Sequence, residues 1–196
     1  MANRLAKIKR KTNETDIALE LNLDGSGKAK LDTGVGFFDH MLDHIARHGR
    51  FDLTVTCKGD LHVDAHHSVE DVGICLGQAL EQALGEKRGI NRFGFASVPM
   101  EDALAQVSLD LCGRAYCVYQ AKYGSKKIGD FDVELVEEFM RSFSNNARMN
   151  LHVEAHYGDN SHHITEAVFK ATGRALANAV RIVDTSGDVP STKGIL

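Results

Sequence analysis

The sequence lacks the features that would place it in a membrane, in a secretory route or on nucleic acid. Its 196 residues contain no apolar run near the length of a membrane span, and residues 1–15 lack the apolar core of a signal peptide. A net charge of −4 leaves no basic field that would attract nucleic acid or an anionic membrane. We therefore expect a cytoplasmic protein that binds neither nucleic acid nor membrane.

Cysteine pairs and linker segments are also missing. None of the four cysteines belongs to a CxxC pair, and all lie in apolar segments, so we expect buried reduced thiols and not disulfides or zinc ligands. No proline-rich or serine-rich stretch divides the chain, and a hydrophobic content of 43% is enough for an ordinary core.

The chain does contain ten histidines and a motif that occurs twice, HHSVED at 66–71 and HHITEA at 162–167. On a helix, each glutamate shares a face with the histidines three and four residues before it. Adjacent histidines point about 100° apart, so each pair suits two ions better than one. Because imidazole and carboxylate clusters build metal sites, the motif predicts a duplicated metal-binding unit. Its candidate ligands are His66, His67, Glu70, His162, His163 and Glu166.

The repeat extends upstream of each motif. Helical periodicity over 36–49 is followed by an alternating strand at 51–57, and the same order returns as a helix at 133–147 and a strand at 149–156. After each motif the helical pattern continues. The two halves are therefore predicted to fold alike.

Each half also opens with strand-like segments. We expect residues 16–33 to form a hairpin around Asp24-Gly25, and residues 103–120 to form one that turns at Cys112-Gly113. The order strand, strand, helix, strand, helix predicts an α+β fold in which each small sheet is covered by two helices. We expect a single domain made of two repeat halves, about 1–90 and 91–196.

The repeat pairs His40 with Glu138. His40 precedes His66 by 26 residues and Glu138 precedes His162 by 24, so the two correspond if one turn is slightly shorter. If His40 is a metal ligand, Glu138 is the matching candidate, because both residue types bind divalent metals. The alternative for Glu138 is an ordinary solvated carboxylate.

Three long segments resemble the signatures of the imidazoleglycerol-phosphate dehydratase family: GFFDHMLDHIARHG (36–49), VDAHHSVEDVGICL (63–76) and GDNSHHITEAVFK (158–170). Four shorter matches extend the similarity over essentially the whole chain: TNET (12–15), NRFG (91–94), SLDLCGR (108–114) and STKG (191–194). The resemblance implies a fold of internally duplicated βαβ units, related by a pseudo-twofold axis.

The resemblance also implies a lyase of histidine biosynthesis that converts D-erythro-imidazole-glycerol phosphate to imidazole-acetol phosphate. It implies two manganese ions per active site and a homo-oligomer of 24 subunits with sites shared between subunits. Carried over by position, the metal ligands are His40, His66, His67, Glu70, His162, His163 and Glu166, with Glu138 where some members have histidine. Zinc, cobalt or iron would suit the same ligand types.

The reaction needs both metal and base. The proton to be lost is not acidified by a carbonyl, so metals on the two ring nitrogens would stabilise an imidazolate that expels hydroxide. A carboxylate must then remove the proton from the next carbon. The resemblance favours Glu14 as this base, with Asp39 and Glu101 as alternatives. His40, His44 and His48 form a stripe with a spacing of four residues on one helix face, and His48 at its end is a candidate contact to a substrate hydroxyl.

The substrate's phosphate requires fixed positive charge and hydrogen-bond donors. The resemblance assigns this role to Arg92, Arg114, Lys170, Ser191 and Lys193. Two rival functions remain at this point, a dinuclear metallohydrolase acting on a phosphate ester and a metal-storage or scaffold protein. The second rival leaves Glu14, Arg92, Arg114 and Lys193 without a role.

Overall fold

The computed structural model describes residues 4–194 and residue 196, and within them two four-stranded sheets and four helices make up the fold. The first half comprises β1 (Leu5–Lys11), β2 (Thr15–Asn22), β3 (Ala29–Asp32), α1 (Gly36–Gly49), β4 (Asp52–Gly59) and α2 (His66–Leu84). The second half comprises β5 (Phe93–Met100), β6 (Ala103–Asp110), β7 (Tyr116–Gln120), β8 (Lys127–Ile128), β9 (Phe131–Asp132), α3 (Glu134–Ala147), β10 (Asn150–Tyr157) and α4 (Ser161–Val180).

The two sheets have the same topology. The strand order is β1-β2-β4-β3 in the first and β5-β6-β10-β7 in the second. In each sheet the third strand along the chain lies parallel to its neighbour, β3 to β4 and β7 to β10, while the other pairs are antiparallel. A parallel pair needs a crossover, and α1 or α3 supplies it. The predicted α+β fold of duplicated units is confirmed.

The core lies between the halves. α1 and α2 pack on the first sheet and α3 and α4 on the second, while α1 also packs on α4 and α2 on α3. Phe38 and Phe139, both fully buried, meet across this boundary with ring centroids 5.4 Å apart. Burial of these large apolar side chains fixes the four helices relative to one another.

Two equivalent glycines let the helices approach closely. A Cβ added to Gly77 in α2 would lie 2.6 Å from the carbonyl oxygen of Phe143, and one added to Gly173 in α4 would lie 2.9 Å from that of Ile45. Each glycine is the eleventh residue after the first histidine of its motif. The contact therefore brings each motif helix against the crossover helix of the other half.

The two predicted hairpins are wrong. The strands exist, but β2 does not pair with β3, because β4 lies between them, and β10 separates β6 from β7 in the same way. The actual hairpins are β1–β2 and β5–β6. The edge strands β1 and β5 lie outside the predicted hairpins, and β1 carries lysines on its outer face and buries little apolar surface.

The other local predictions hold closely. The first helix spans Gly36–Gly49 as predicted, the second begins one residue late at Glu134, and β4 and β10 are displaced by one or two residues. The four cysteines are free thiols, three of them buried. Within the described part of the chain, no helix combines the length and the apolar character needed to cross a membrane.

Candidate metal and substrate site

A first cluster of metal-binding side chains forms where α1 meets α4, and we call it the α1/α4 cluster. It consists of His40, His162 and Glu166, whose donor atoms all lie within 4.8 Å of one another. The Nε2 atoms of both histidines are 3.0 Å from Oε1 of Glu166. Because α1 belongs to the first half and α4 to the second, the packing of the halves builds this cluster.

The surroundings keep Glu166 ionised. Burial alone would raise the pKa of Glu166, but hydrogen bonds from Lys170, His40 and His162 outweigh it and hold the pKa far below its usual range. Lys170 Nζ lies 2.5 Å from Oε2 of Glu166. Burial lowers the pKa of the adjacent His44 to about 4, so this imidazole is neutral at pH 7. An ionised carboxylate beside imidazoles is a donor set that fits a divalent metal.

A second, looser set of side chains lies at the equivalent place where α2 meets α3, and we call it the α2/α3 cluster. It consists of His66, Glu70 and Glu138, with His66 Nε2 lying 3.9 Å from Oε2 of Glu70. Glu138 and His66 line the same cavity. α1 and α3 have equal length, so Glu138 occupies the position of His40, as predicted. The two clusters are therefore equivalent in position.

The second histidine of each motif turns away from its cluster. The rings of His66 and His67 lie 6.1 Å apart at 82°, and those of His162 and His163 lie 6.2 Å apart at 78°. The predicted divergence of adjacent histidines is confirmed. One chain therefore offers each cluster three donor residues and directs two further imidazoles elsewhere.

His67 lies between two carboxylates. Its Nδ1 is 3.0 Å from Oδ2 of Asp60, and its Nε2 is 3.6 Å from Oε1 of Glu14. The hydrogen bond to Asp60 raises the pKa of His67. The structure thus brings Glu14, the predicted base, next to a predicted metal ligand, although Glu14 itself is exposed.

His163 has a single carboxylate neighbour. Its Nδ1 lies 2.5 Å from Oδ1 of Asp102, in the turn between β5 and β6. This hydrogen bond, together with those from backbone N–H groups, holds the pKa of Asp102 well below its usual range.

His48 and the two alternative bases, Asp39 and Glu101, lie at three different places in the structure. His48 ends the predicted histidine stripe on α1, with its ring 5.7 Å from that of His44, and burial lowers its pKa. Asp39 accepts a hydrogen bond from the Thr33 hydroxyl at 2.7 Å, which ties the first turn of α1 to the segment before it. Glu101 lies in the β5–β6 turn with a φ of 49°.

Arg92 is tied to the C-terminal segment. Its guanidinium donates to both carboxylate oxygens of Asp110, at 2.7 and 3.0 Å, and to the backbone carbonyl of Pro190 at 2.9 Å. The next residue is Ser191, so Arg92 positions the tail that carries two of the predicted phosphate-binding residues.

The remaining phosphate candidates fall into two places. Arg114 is exposed in the turn at Gly113, and Leu196 at the end of the tail lies against that turn. Lys193 is exposed in the tail. Lys170 is bonded to Glu166 in the α1/α4 cluster instead. The chain therefore gathers the tail, Arg92 and the Arg114 turn, and places Lys170 at a metal cluster.

Comparison with known proteins decides the family. The profile of the family "Imidazoleglycerol-phosphate dehydratase" matches residues 33–176. An imidazoleglycerol-phosphate dehydratase from Acetivibrio thermocellus is 58% identical over 194 residues, covering 99% of this chain and 100% of that protein. The chain belongs to the imidazoleglycerol-phosphate dehydratase family. A relative of the same name from Geobacillus kaustophilus is 58% identical over 98% of this chain and 99% of its own length.

Solved imidazoleglycerol-phosphate dehydratases share the fold. The Staphylococcus aureus enzyme superposes with a TM-score of 0.83 at 36% identity, over 91% of this chain and 99% of that one. The Pyrococcus furiosus enzyme, solved in complex with (S)-C348, gives a TM-score of 0.83 at 38% identity, over 96% and 100%. The chain is thus an enzyme, a lyase that dehydrates imidazoleglycerol phosphate in histidine biosynthesis.

Sequence reasoning missed two residues next to the imidazoleglycerol-phosphate dehydratase motifs, Asp60 and Asp102. Both contact the second histidine of a motif, but neither lies in a ligand motif itself. The only sequence signal for Asp60 is the turn KGD, seven residues before His67. Asp102 is distant in sequence from His163, so only the fold reveals the contact.

Proposed function

We propose that this dehydratase uses two manganese ions per active site, held by its two equivalent clusters, and works in the cytoplasm as a homo-oligomer with sites shared between subunits. The observation that supports this proposal is that the donor residues of one chain are divided between the two clusters and two histidines outside them. In the α1/α4 cluster three donor residues lie within 4.8 Å of one another, the α2/α3 cluster has the three equivalent residues, and His67 and His163 contact carboxylates elsewhere. A metal with about six oxygen and nitrogen ligands needs more donors than either cluster supplies.

The clusters would hold one ion each. His40, His162 and Glu166 form the first set, and the second set is His66, Glu70 and Glu138. When bound, the two ions would supply Lewis acidity that stabilises negative charge on the substrate's imidazole ring and favours loss of hydroxide. Glu166 serves the first set as an ionised carboxylate, and His44 stays neutral beside it, so His44 adds no positive charge to that of Lys170.

Glu14 acts as the general base in this proposal. It takes the proton from the carbon next to the one that loses its hydroxyl, and the resulting enol tautomerises to the ketone. Its support is its position, 3.6 Å from His67 Nε2, with half of its side chain exposed to solvent and so accessible to substrate. His48, partly buried at the end of the α1 stripe, would contact the substrate hydroxyl.

The phosphate group would bind at the tail. Arg92 holds the segment through the Pro190 carbonyl, so that Ser191 and Lys193 can reach the phosphate, and Arg114 adds an exposed guanidinium beside the same segment. Lys170 would act from the metal side, where it already compensates the charge of Glu166.

Assembly would complete each site. A neighbouring subunit can supply His67 or His163 to a cluster that has only three donors of its own. The resemblance of the motifs favours a shell of 24 subunits, with each chain acting as a single domain of two halves, about 1–90 and 91–196. Metal that bridges subunits would stabilise the assembled form over smaller ones.

The first test of the metal proposal is elemental analysis. Protein purified in manganese should contain close to two equivalents per chain, and His163→Ala should lower both occupancy and activity without unfolding the chain. Fully active protein with a reproducible content near zero would contradict the proposal. Release of inorganic phosphate from the substrate in place of imidazole-acetol phosphate would favour a metallohydrolase instead.

The test of the base is Glu14→Gln. This variant should keep its metals and bind substrate, but lose turnover by roughly 10²–10⁴, the usual worth of a positioned base. Glu20→Gln is the matched control, because Glu20 is a partly exposed glutamate of the adjoining strand paired with Lys7, and should turn over normally. Lys193→Ala should mainly raise KM. Normal turnover in Glu14→Gln would redirect the search to Asp39, Glu101 or His48.

A further inference from the structure

The second histidine of each motif is bonded through the same ring nitrogen. Nδ1 of His67 lies 3.0 Å from Asp60, and Nδ1 of His163 lies 2.5 Å from Asp102. An ionised carboxylate only accepts hydrogen bonds, so Nδ1 carries the proton in both rings. In the neutral ring the lone pair is then on Nε2, the atom that remains available to a cation.

Asp102 is itself held in place. Its Oδ2 accepts hydrogen bonds from the backbone N–H groups of Asp159 and Asn160, at 2.6 and 3.0 Å, while Oδ1 faces His163. Asp60 is anchored through its backbone N–H, which donates to the Glu14 carbonyl at 3.1 Å. The Asp102 carboxylate and the Asp60 backbone are therefore fixed before any ligand arrives.

The two carboxylates come from different parts of the repeat. Asp60 lies in the loop between β4 and Asp64, which accepts a hydrogen bond from the His66 N–H, and Asn160 does the same for His162. The loop from β10 to Asn160 is two residues shorter than its counterpart. The shorter loop has no residue in the place of Asp60.

In the second half, Asp102 of the β5–β6 turn contacts the histidine ring nitrogen that Asp60 contacts in the first half. Asp102 directly precedes β6, as Glu14 directly precedes β2, so the two acids occupy equivalent positions. In the second half this acid binds Nδ1 of His163, whereas in the first half Asp60 has taken Nδ1 and Glu14 lies on the Nε2 side of His67. The longer loop thus frees one carboxylate per chain to face the metal-binding edge of an imidazole.

We propose that Asp60 and Asp102 are positioning residues, which fix His67 and His163 in the Nδ1–H tautomer and aim each Nε2 at a divalent cation. The inference rests on the proposed metal-dependent function and deepens it. Carboxylates that orient metal-binding histidines in this way are worth about 10–100-fold in metal affinity.

Manganese titration followed by the electron paramagnetic resonance of the free ion tests this directly. Asp102→Ala should weaken one class of sites by about 10–100-fold, and Asp60→Ala should do the same for the other. Asp16→Asn, which alters an exposed carboxylate paired with Lys11, is the matched control and should bind as wild type. Unchanged affinity in both alanine variants overturns the proposal.

A double-variant cycle separates positioning from a general structural effect. If Asp102 acts through His163, the pair Asp102→Ala and His163→Ala should bind manganese no more weakly than His163→Ala alone. Additive losses would overturn the proposal. Asp102→Asn, whose amide oxygen can keep the two backbone hydrogen bonds but whose NH2 group cannot accept from Nδ1–H, should lose affinity as Asp102→Ala does. It covers the case in which the alanine variant fails to fold.

A metal-free readout keeps this inference distinct from the proposed function. In ¹⁵N solid-state spectra of histidine-labelled apoprotein at pH 8, the His163 signal, identified by its loss in His163→Ala, should show the Nδ1–H tautomer in wild type. Asp102→Ala should shift this signal toward the other tautomer. If wild type binds no manganese, the proposed function fails. The positioning role is then decided by the change of the His163 signal in Asp102→Ala alone. An unchanged signal would overturn it.

Discussion

The α1/α4 and α2/α3 clusters occupy equivalent positions but differ in how closely their side chains are held together. In the α1/α4 cluster, Glu166 is 8% exposed and bonded to two imidazoles and Lys170. In the α2/α3 cluster, Glu70 is 39% exposed and lies 3.9 Å from His66, and Ile74 stands where Lys170 stands in the other helix. Duplication preserved the backbone geometry, while side-chain substitution left one cluster assembled and the other open.

The residues beneath the two motif helices also differ, and here the first half has the polar contacts. In the first half, Arg10 Nε donates to Asp71 at 2.9 Å and the Thr15 hydroxyl donates to the same carboxylate at 2.5 Å, beneath α2. The corresponding residues of the second half are apolar: Val98, Ala103 and Ala167. The first half, which contains the open α2/α3 histidine motif, therefore has a polar network beneath its motif helix. The second half, which contains the histidine motif of the α1/α4 cluster, has apolar residues at the corresponding place.

The largest expected effect comes from breaking that network. Asp71→Ala removes two hydrogen bonds to a buried carboxylate, from Arg10 and Thr15, and should lower the free energy of unfolding by roughly 3 kcal/mol. Chemical denaturation in chelator at fixed protein concentration measures this. Copying the second half, with Arg10→Val, Thr15→Ala and Asp71→Ala together, should recover most of the loss. A triple variant as unstable as the single one would show that the halves are not interchangeable here.

The second expected effect is a pH dependence of stability that comes from His44, which lies beside the α1/α4 cluster. The pKa of His44 is about 4 in the folded chain, below its ordinary value of 6.5, so between these values the unfolded chain binds the proton more readily. Stability should therefore fall by about 2–3 kcal/mol as pH drops from 6.5 to 4. His44→Ser, which copies Ser142 of the second half, should flatten this slope in metal-free denaturation, and the exposed control His62→Gln should retain it. Equal slopes in all three would contradict the assignment.

The smallest effect compares the two glutamates directly. Glu166→Ala removes charge-assisted hydrogen bonds from a nearly buried site and should cost about 2 kcal/mol in metal-free protein. Glu70→Ala, at an exposed site, should change stability by less than about 0.5 kcal/mol. Melting curves in chelator show the contrast. Similar losses in the two variants would mean that the clusters are equally organised without metal.

Local structure followed from the sequence where one face was clearly apolar. The helix at 36–49 was predicted to its ends, because Phe38, Met41 and Leu42 mark its buried face. The strand β5 was missed for the opposite reason, since Phe93 and Phe95 point outward and are 57% and 54% exposed. The pattern of apolar side chains in β5 therefore did not indicate which face of the strand is buried.

The site was predictable as a set of residues but not as an arrangement. The repeat identified the histidines and the match of His40 with Glu138. It did not show that α1 pairs with α4 and α2 with α3, because that depends on how the helices pack across the halves. The contact of Asp102 with His163 depends on a loop two residues shorter in one half, and no local pattern records that consequence.

The central claim is that each metal site combines a cluster from one subunit with a second histidine from another, and complementation tests it most directly. One variant carries His66→Ala and His162→Ala, and the other carries His67→Ala and His163→Ala. Each should be inactive alone. Co-expressed with different tags and purified on both, mixed assemblies should regain dehydratase activity and manganese, because some sites then combine intact clusters with intact second histidines. Mixed assemblies that form but stay inactive and metal-poor would contradict the claim, and would place each site within a single chain.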